Sequence, residues 1–365
     1  MEQILSEMAD RVRAASAGAQ PLRIRGGGSK DFYGEPAVGE LLDVRPLAGI
    51  TSYEPTELVV TVRAGTPLAE LEAVLAERGQ CLPFEPPHVA GGATVGGMVA
   101  AGLSGPARAS AGSARDFVLG LTMFNGRGEL LTFGGQVMKN VAGYDLSRLV
   151  TGSLGTLGLI VEVSLKVLPV APAEATLKFE MDQPEALLRL NEWGGRPLPL
   201  NASCWVDDAG VRTLYLRLRG AVAAVESARH ALGGELQDNA SVAGDWVQCR
   251  DQRLPWFNGR GDRDLWRLSV PQAAPVLDLP EPPLIEWHGG QRWVRARASE
   301  GSRLRKAARL AGGHATLFAV GGEVSSSTVS RFAPLAPALE KIHRELKHQF
   351  DPAGIFNRGR MHAED

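Results

Sequence analysis

The sequence contains little of what marks a secreted, metal-binding or membrane-spanning protein. Its three cysteines, Cys81, Cys204 and Cys249, are far apart and odd in number, which argues against a disulfide framework and indicates a reducing compartment. No CxxC is present, so a recognisable zinc or iron–sulfur motif is missing. The N-terminal residues are acidic where a signal peptide is basic, and no apolar run approaches membrane-spanning length. We expect a cytoplasmic protein without a metal site or direct membrane insertion, held at the inner membrane, if at all, through partners.

An excess of charge of one sign is also missing. The 365 residues include 39 Lys and Arg against 41 Asp and Glu, and 44% are hydrophobic. This balance gives no reason to expect nucleic acid or an acidic membrane surface as a partner. Neither the P-loop motif nor G-x-G-x-x-G occurs in the glycine-rich segments, which excludes the usual signatures of two nucleotide-binding folds. The length exceeds what a single core usually supports and therefore favours two domains.

Glycine, in contrast, is abundant and clustered. The stretch from Gly91 to Gly105 has six glycines in fifteen residues, a composition that costs backbone entropy unless something needs the space that side chains would fill. The segment before it, residues 83–87, contains three prolines and is stiff, so this is not a flexible linker. The stretch fits a cradle for a phosphate-bearing ligand, or alternatively a tightly packed Gly/Ala helix or a plain loop.

Two further glycine segments expose backbone in the same way. The strand-like residues 22–25 end in Gly26-Gly27-Gly28-Ser29-Lys30, which is either a turn or an anion nest in which Arg25 or Lys30 adds positive charge. Glycines also recur three residues apart at 152, 155 and 158, flanked by Ser and Thr.

The remaining patterns predict an α+β protein. Amphipathic helices are expected at residues 3–17, 68–75 and 335–346, and strands at 41–44, 58–62, 118–124, 129–133 and 159–168, with a hairpin at Asn125-Gly126. The Pro-rich segment that starts at Pro169 predicts a domain boundary near residue 172. Beyond it, strand-then-helix segments such as 211–218 and 221–232 indicate an antiparallel sheet backed by helices, with most of the seven tryptophans in the core or at interfaces.

Six segments in order resemble the vanillyl-alcohol-oxidase/p-cresol-methylhydroxylase (PCMH) type of FAD-binding flavoproteins and, within it, the FAD-binding subunits of bacterial glycolate oxidases. The segments are Arg25–Lys30, Pro87–Gly105, Arg115-Asp116, Lys139–Asp145, Gly152–Ile160 and Phe350–Asn357. The resemblance implies an α+β fold with a two-part FAD-binding domain over residues 1–172. It also implies an antiparallel-sheet cap domain over residues 173–330 and a C-terminal segment, residues 331–365, that returns to the FAD domain.

The resemblance also implies which residues bind FAD. Segments 25–30 and 91–97 are expected at the pyrophosphate and ribityl groups, 152–160 at the adenine or ribityl side, and 139–144 at the flavin edge. The implied FAD-binding residues are Arg25, Gly26, Gly27, Gly28, Ser29, Lys30, Pro87, Gly92, Thr94, Val95, Gly96, Gly97, Gly102, Arg115, Asp116, Lys139, Tyr144, Gly152, Gly155, Thr156, Gly158 and Ile160.

The sequence departs from some relatives at two places. Ser29 stands where relatives with covalently attached flavin have a histidine, so we expect non-covalent FAD. The His-rich cluster of metal-assisted 2-hydroxy acid oxidases is missing, and His288 and His314 stand alone, either structural or catalytic. A hydroxy acid oxidase must hold the substrate carboxylate, usually by arginine. Among the cap arginines, Arg292 or Arg295 beside His288 is the candidate; otherwise these arginines are surface charges.

The implied function is that of the FAD-binding subunit of a glycolate (2-hydroxy acid) oxidase or dehydrogenase complex. Such a complex oxidises glycolate to glyoxylate together with a catalytic flavin subunit and an iron–sulfur subunit. Two alternatives remain open at this point: a self-sufficient FAD-dependent oxidoreductase of another hydroxy acid or alcohol, and a non-catalytic flavin-binding scaffold.

Overall fold

The structure, a computed structural model, describes residues 1–135, 144–321 and 329–362, with only the backbone of Asp208. The predicted FAD ligand Lys139 lies outside the described residues. Strands are β1 (Leu22–Arg25), β2 (Glu40–Asp43), β3 (Ile50–Glu54), β4 (Val59–Arg63), β5 (Gln80–Cys81), β6 (Val118–Phe124), β7 (Leu130–Gly134), β8 (Leu159–Lys166), β9 (Leu168–Pro169), β10 (Ala173–Glu180), β11 (Leu200–Asp208), β12 (Val211–Gly220), β13 (Glu235–Gln237), β14 (Asp264–Ser269), β15 (Leu284–Glu286), β16 (Gln291–Ala296) and β17 (His314–Ala319).

Helices alternate with these strands in both halves of the chain. They are α1 (Glu2–Ala17), α2 (Leu68–Glu77), α3 (Val95–Ala101), α4 (Arg108–Ala111), α5 (Ala114–Phe117), α6 (Leu146–Val150), α7 (Gln183–Gly194), α8 (Val222–Leu232), α9 (Asn239–Arg250), α10 (Pro255–Asn258), α11 (Gly301–Leu310) and α12 (Pro337–Phe350), with short 3-10 turns at Trp287–Gly289 and Ala298–Glu300. None of the described helices is long and apolar enough to cross a membrane.

The first half contains two sheets. The parallel pair β1-β2 packs with α1 around a small core, and five antiparallel strands form a second sheet in the order β3-β4-β8-β6-β7. Helix α2 covers this second sheet because Leu68, Leu71 and Leu75 recur at helical spacing and are fully buried. The predicted strand 118–124 is β6 to the residue, and its hairpin to β7 follows Asn125-Gly126 as expected.

The second half is built on one large antiparallel sheet. Eight strands lie in the order β13-β10-β12-β11-β15-β16-β14-β17, and helices pack against them. The seven tryptophans are all buried, as expected for core and interface anchors: Trp193, Trp205, Trp246, Trp256, Trp266, Trp287 and Trp293. The predicted boundary near residue 172 falls between β9 and β10, which belong to different sheets.

The C-terminal segment packs back onto the first half. The backbone N–H of Leu22 donates to the carbonyl of Ile355 at 2.7 Å. The buried ammonium of Lys347 donates to the carbonyl of Thr156 at 2.8 Å, to that of Phe356 at 2.9 Å and to the Asp351 carboxylate at 2.9 Å. These bonds place residues 355–360 beside the glycine segments of the first half.

Candidate functional site

A cavity of about 290 Å³ lies where three of the glycine segments meet. It is lined by residues from the ends of β1 and α3, from the 154–160 segment and from the C-terminal segment. The predicted residues that the structure brings together here are Arg25, Gly26, Gly27, Gly28, Ser29, Lys30, Thr94, Gly96, Gly97, Gly155, Gly158 and Ile160. Segments separated by more than 100 residues therefore converge on one cavity.

Close contact between two loops explains why the first of these glycines have no side chains. A Cβ atom on Gly27 would overlap the carbonyl oxygen of Gly92, and one on Gly26 would overlap the hydroxyl of Thr94. In contrast, a Cβ on Gly97 would approach only the hydroxyl of Thr94, at 3.1 Å. Gly26 and Gly27 are thus required by packing, whereas Gly97 leaves its open space to the cavity.

The two loops differ in the hydrogen-bond donors that they offer. The backbone N–H groups at the start of α3 already have acceptors: Val95 donates to Thr66 O at 2.9 Å, Gly96 to Ala64 O at 2.7 Å and Gly97 to Thr94 Oγ1 at 3.3 Å. The N–H groups of residues 26–30 donate to no acceptor within the described residues. Consecutive unpaired N–H groups form an anion nest, so residues 26–30 supply hydrogen-bond donors. Helix α3 instead supplies a surface without bulky side chains, which a ligand can approach closely. The sequence predicts phosphate-binding N–H donors in both segments, and only residues 26–30 offer unpaired ones.

Segment 91–105 combines two of the structures that the sequence left open. Residues 95–101 form a Gly/Ala helix that packs tightly, since a Cβ on Gly96 would lie 2.6 Å from that of Ala64. The same helix presents Gly96, Gly97 and Ala100 to the cavity. A tightly packed helix and a ligand-facing surface are therefore the same element here.

Positive charge surrounds the nest. Arg23, Arg25, Lys30 and Arg360 all line the cavity, and Asp31 pairs with Arg25 at 2.7 Å. Burial lowers the pKa of Lys30 to about 8, an effect that the charge of Asp251 partly opposes. Arg360 is 8% exposed and donates to the carbonyls of Glu35, Lys30 and Asp31. These bonds hold the nest loop, residues 26–30, in place against the C-terminal segment. Unpaired N–H groups among cations are what a pyrophosphate requires.

Asn357 and Gly155 form another wall of the cavity, where the C-terminal segment meets the 154–160 segment. The Asn357 amide donates to the carbonyl of Leu154 at 2.7 Å, and a Cβ on Gly155 would lie 2.7 Å from that amide nitrogen. Asn357 and Arg360 were not predicted to contact FAD, because they lie 203 or more residues along the chain from the wall residues that Asn357 contacts. The only sequence signal was the resemblance of segment 350–357.

Several predicted residues lie outside the cavity lining: Pro87, Gly92, Val95, Gly102, Arg115, Asp116, Tyr144, Gly152 and Thr156. Gly102 ends α3 in a left-handed conformation, and a Cβ there would lie 2.8 Å from Gly152 Cα. Asp116 accepts from the backbone N–H and hydroxyl of Ser113, both at 2.8 Å, in a capping box. Tyr144 is 93% exposed. The structure thus gives Gly102 a packing role and Asp116 a capping role. A Cβ on Gly152 would meet no atom within 4 Å, and its φ of 89° is the feature that favours glycine there.

The cap candidates are engaged in internal contacts. His288 is buried, its Nε2 lies 3.0 Å from the hydroxyl of Ser110, and burial lowers its pKa to about 4. Arg292 is fully buried and donates to the carbonyls of Gly289 and Ala274. Arg295 pairs with Glu281 at 2.8 Å and stacks on Trp256. The structure does not bring these arginines to the cavity, whereas His288 joins the cap to the first half.

A nest of unpaired N–H groups among cations, on an α+β scaffold facing an antiparallel sheet, is typical of dinucleotide-binding flavoproteins that lack the Rossmann motif. Consistently, the FAD binding domain family matches residues 5–134. The fold resembles that of p-cresol methylhydroxylase with substrate bound, with a TM-score of 0.69 and 15% identity over 98% of this chain and 88% of that chain.

A relative matches at nearly full length. Glycolate oxidase subunit GlcE of Escherichia coli (strain K12) is 49% identical over 356 residues, which are 97% of this chain and 96% of that protein. The chain belongs to the GlcE family of FAD-binding glycolate oxidase subunits. Glycolate oxidase subunit GlcD of Bacillus subtilis (strain 168) is 31% identical over 159 residues, 43% of this chain and 34% of that protein. FAD is therefore the cofactor, and the protein is an FAD-dependent oxidoreductase subunit acting on CH–OH donors.

Proposed function

We propose that this chain is the FAD-binding subunit of a complex that oxidises glycolate, or another small 2-hydroxy acid, to the 2-oxo acid. The observation that carries the proposal is 49% identity to a glycolate oxidase subunit along the whole chain, including the cap half. The shorter match to GlcD covers only the share expected of a common FAD-binding half. A catalytic flavin subunit and an iron–sulfur subunit complete the proposed complex.

In this proposal the nest residues hold the pyrophosphate of FAD. The N–H groups of residues 26–30 donate to its oxygens, and Arg25 and Lys30 add charge-assisted contacts. The open space above Gly97 admits the neighbouring ribityl chain without a side-chain clash. Ser29 offers no imidazole for covalent attachment, so FAD binds non-covalently. When bound, FAD would supply a redox centre that passes or accepts electrons alongside the catalytic flavin subunit.

The proposed complex lies in the cytoplasm and reaches the inner membrane only through its partners. Co-purification from the native source tests the assembly, with flavin, iron and polypeptides counted together. We expect this chain with two further subunits and with glycolate-dependent reduction of an electron acceptor. A protein that binds no FAD after reconstitution contradicts the proposal. Anaerobic bleaching of the flavin by glycolate in the isolated chain would instead indicate a self-sufficient enzyme.

A further inference from the structure

Two of the three cysteines adjoin the same buried carboxylate. Cys204 of β11 is the register partner of Glu286 at the end of β15. Directly opposite residues of an antiparallel pair lie on the same face of the sheet, with Cβ atoms about 5 Å apart. The thiol of Cys249, near the end of α9, donates to Glu286 Oε1 at 3.3 Å. The fold therefore brings together two cysteines that are far apart in sequence.

Glu286 is itself held in place. It is 2% exposed, and its Oε2 accepts from Gln291 Nε2 at 2.9 Å and from the indole N–H of Trp293. Because both carboxylate oxygens have donors, the side chain has a fixed orientation. Its contact with Cys249 is therefore a stable feature of the packing between the sheet and α9.

Both cysteines line a cavity of about 440 Å³ between the sheet and α9. They are 5% and 2% exposed, so bulk solvent contacts little of either. The cavity wall also includes Val211 and Asp245, which are exposed and place its mouth at the surface. A water molecule occupies about 30 Å³ of liquid, so molecules of similar size fit easily. Among the described residues, this cavity and the proposed FAD cavity share no lining residue.

Helix α9 also carries contacts between the two halves. Asp251, which follows it, accepts from the backbone N–H of His88 at 2.8 Å. The ring of Trp246 lies 4.7 Å from the guanidinium of Arg217, which donates to Glu85 at 2.6 Å. His88 and Glu85 belong to the first half. A covalent bond between β11 and α9 would therefore restrain the helix on which these contacts depend.

We propose that Cys204 and Cys249 are an oxidisable pair, which hydrogen peroxide closes to a disulfide that fixes α9 to β11. One sulfur attacks a peroxide oxygen, the O–O bond breaks, and the departing hydroxide takes the thiol proton and leaves as water. The other sulfur attacks the resulting sulfenic acid, the S–O bond breaks, and a second water leaves with the second thiol proton. The two thiols thus supply the two electrons that reduce the peroxide. The pair lies outside the proposed function and does not depend on it.

The surroundings of the pair make its oxidation slow. A hydrogen bond with Cys204 and then burial raise the pKa of the Cys249 thiol well above its usual range. Little thiolate is present at neutral pH, and thiolate is the form that reacts. In a reducing compartment the pair stays a dithiol, as disulfides there are transient. The disulfide forms only under sustained oxidation.

Thiol counting in the FAD-loaded full chain tests the pair. The protein is kept for hours in excess hydrogen peroxide, then unfolded, alkylated and digested for mass spectrometry. We expect the three free thiols to fall to one, with a peptide pair joined through Cys204 and Cys249 and lacking two hydrogen atoms. Dithiothreitol should restore all three thiols. Cys81→Ala is the matched control and should form the same joined peptides.

The thermal midpoint tests the restraint on α9. Oxidised wild type should unfold a few degrees above the reduced protein, because a cross-link restrains the unfolded chain. Cys249→Ala should have the same midpoint with and without peroxide.

Three thiols after oxidation would overturn the proposal, as would a disulfide to Cys81. Sulfinic acid at Cys204 or Cys249 without joined peptides would also overturn it, since the two sulfurs would then not reach each other. Equal midpoints of the oxidised and reduced wild type would show that the bond does not fix α9. The joined peptides are sought in the wild type, so the test stands even where a variant fails to fold. Neither measurement uses glycolate oxidation, so failure here is distinct from failure of the proposed function.

Discussion

The side-chain oxygen of Asn357 accepts a hydrogen bond from the backbone N–H of Ile24 at 2.8 Å, across 333 residues of sequence. The amide nitrogen of the same side chain donates to the carbonyl of Leu154. Asn357 thus joins three walls of the cavity proposed to hold FAD: strand β1, the 154–160 segment and the C-terminal segment. Its own φ of 40° suits asparagine, which adopts left-handed backbone more readily than most residues.

Asn357→Ala should therefore destabilise the protein and weaken FAD binding together. The buried carbonyl of Leu154 and the half-buried N–H of Ile24 lose their partners, which costs about 2 kcal/mol of unfolding free energy. Urea denaturation of the FAD-free protein and fluorescence titration with FAD measure the two effects. Asn357→Asp keeps the acceptor for Ile24 and loses the donor to Leu154, so we expect an intermediate loss. A wild-type denaturation midpoint in the alanine variant would contradict this account.

The local elements could be predicted because their signals lie within a few residues. Helix 68–75 is predicted from apolar spacing and is α2, Leu68–Glu77. The nest at residues 26–30 was expected from three glycines after a strand. Both depend on backbone conformations that the residues themselves favour.

The composition of the site was harder to predict because glycine is used for two reasons. Gly97 leaves space for a ligand, whereas Gly27 leaves space for the carbonyl of Gly92 and Gly102 leaves space for Gly152. A sequence records only that no side chain fits, not what fills the space. Asn357 and Arg360 were not assigned because a wall residue brought in by tertiary contact has no local signal.

The two kinds of glycine predict different effects of substitution by alanine on stability, although FAD binding should weaken in both cases. Gly27→Ala places a Cβ atom on the Gly92 carbonyl, so the loops must separate and both stability and FAD binding should fall. Gly97→Ala meets only the Thr94 hydroxyl, at 3.1 Å, and alanine favours helix by about 1 kcal/mol. That variant should keep or raise its FAD-free thermal midpoint while FAD affinity falls several-fold. Equal effects of the two variants on the thermal midpoint would show that the distinction is wrong.

Lys30 predicts a pH dependence of FAD binding. Burial lowers its pKa to about 8 in the protein without ligand, so its positive charge is lost as the pH rises through 8. FAD affinity should then fall from pH 7 to 9, by at most about tenfold per pH unit for one proton. Titration of the FAD-free protein at several pH values checks this. Lys30→Met should bind FAD more weakly at pH 7 with a flat profile, and Lys30→Arg should keep the affinity at pH 9. A slope that persists in the methionine variant rules out Lys30 as its source.

The lowered pKa of His288 predicts that the free energy of unfolding decreases in acid, because this residue joins the second half to helix α4. Burial lowers its pKa to about 4, against about 6.5 for an exposed histidine. Between these values the unfolded chain binds a proton that the folded chain does not. The stability that a neutral His288 contributes is therefore fully present above pH 6.5 and is lost as the pH falls towards 4. The free energy of unfolding should decrease by up to about 1.4 kcal/mol per pH unit in this window.

The variant that tests this is His288→Asn, because asparagine accepts the left-handed backbone and does not titrate. Its unfolding free energy should be lower than that of the wild type at pH 7 but should depend less on pH between 6.5 and 5. Carboxylates with lowered pKa, such as that of Asp251, lose their stabilising effect only nearer pH 4 and below. Burial raises the pKa of Glu286 and lowers that of His314, so the difference between the two proteins, rather than the wild-type slope, measures the effect of His288. Identical slopes in the two proteins would mean that protonation of His288 does not weaken the contact between the second half and helix α4.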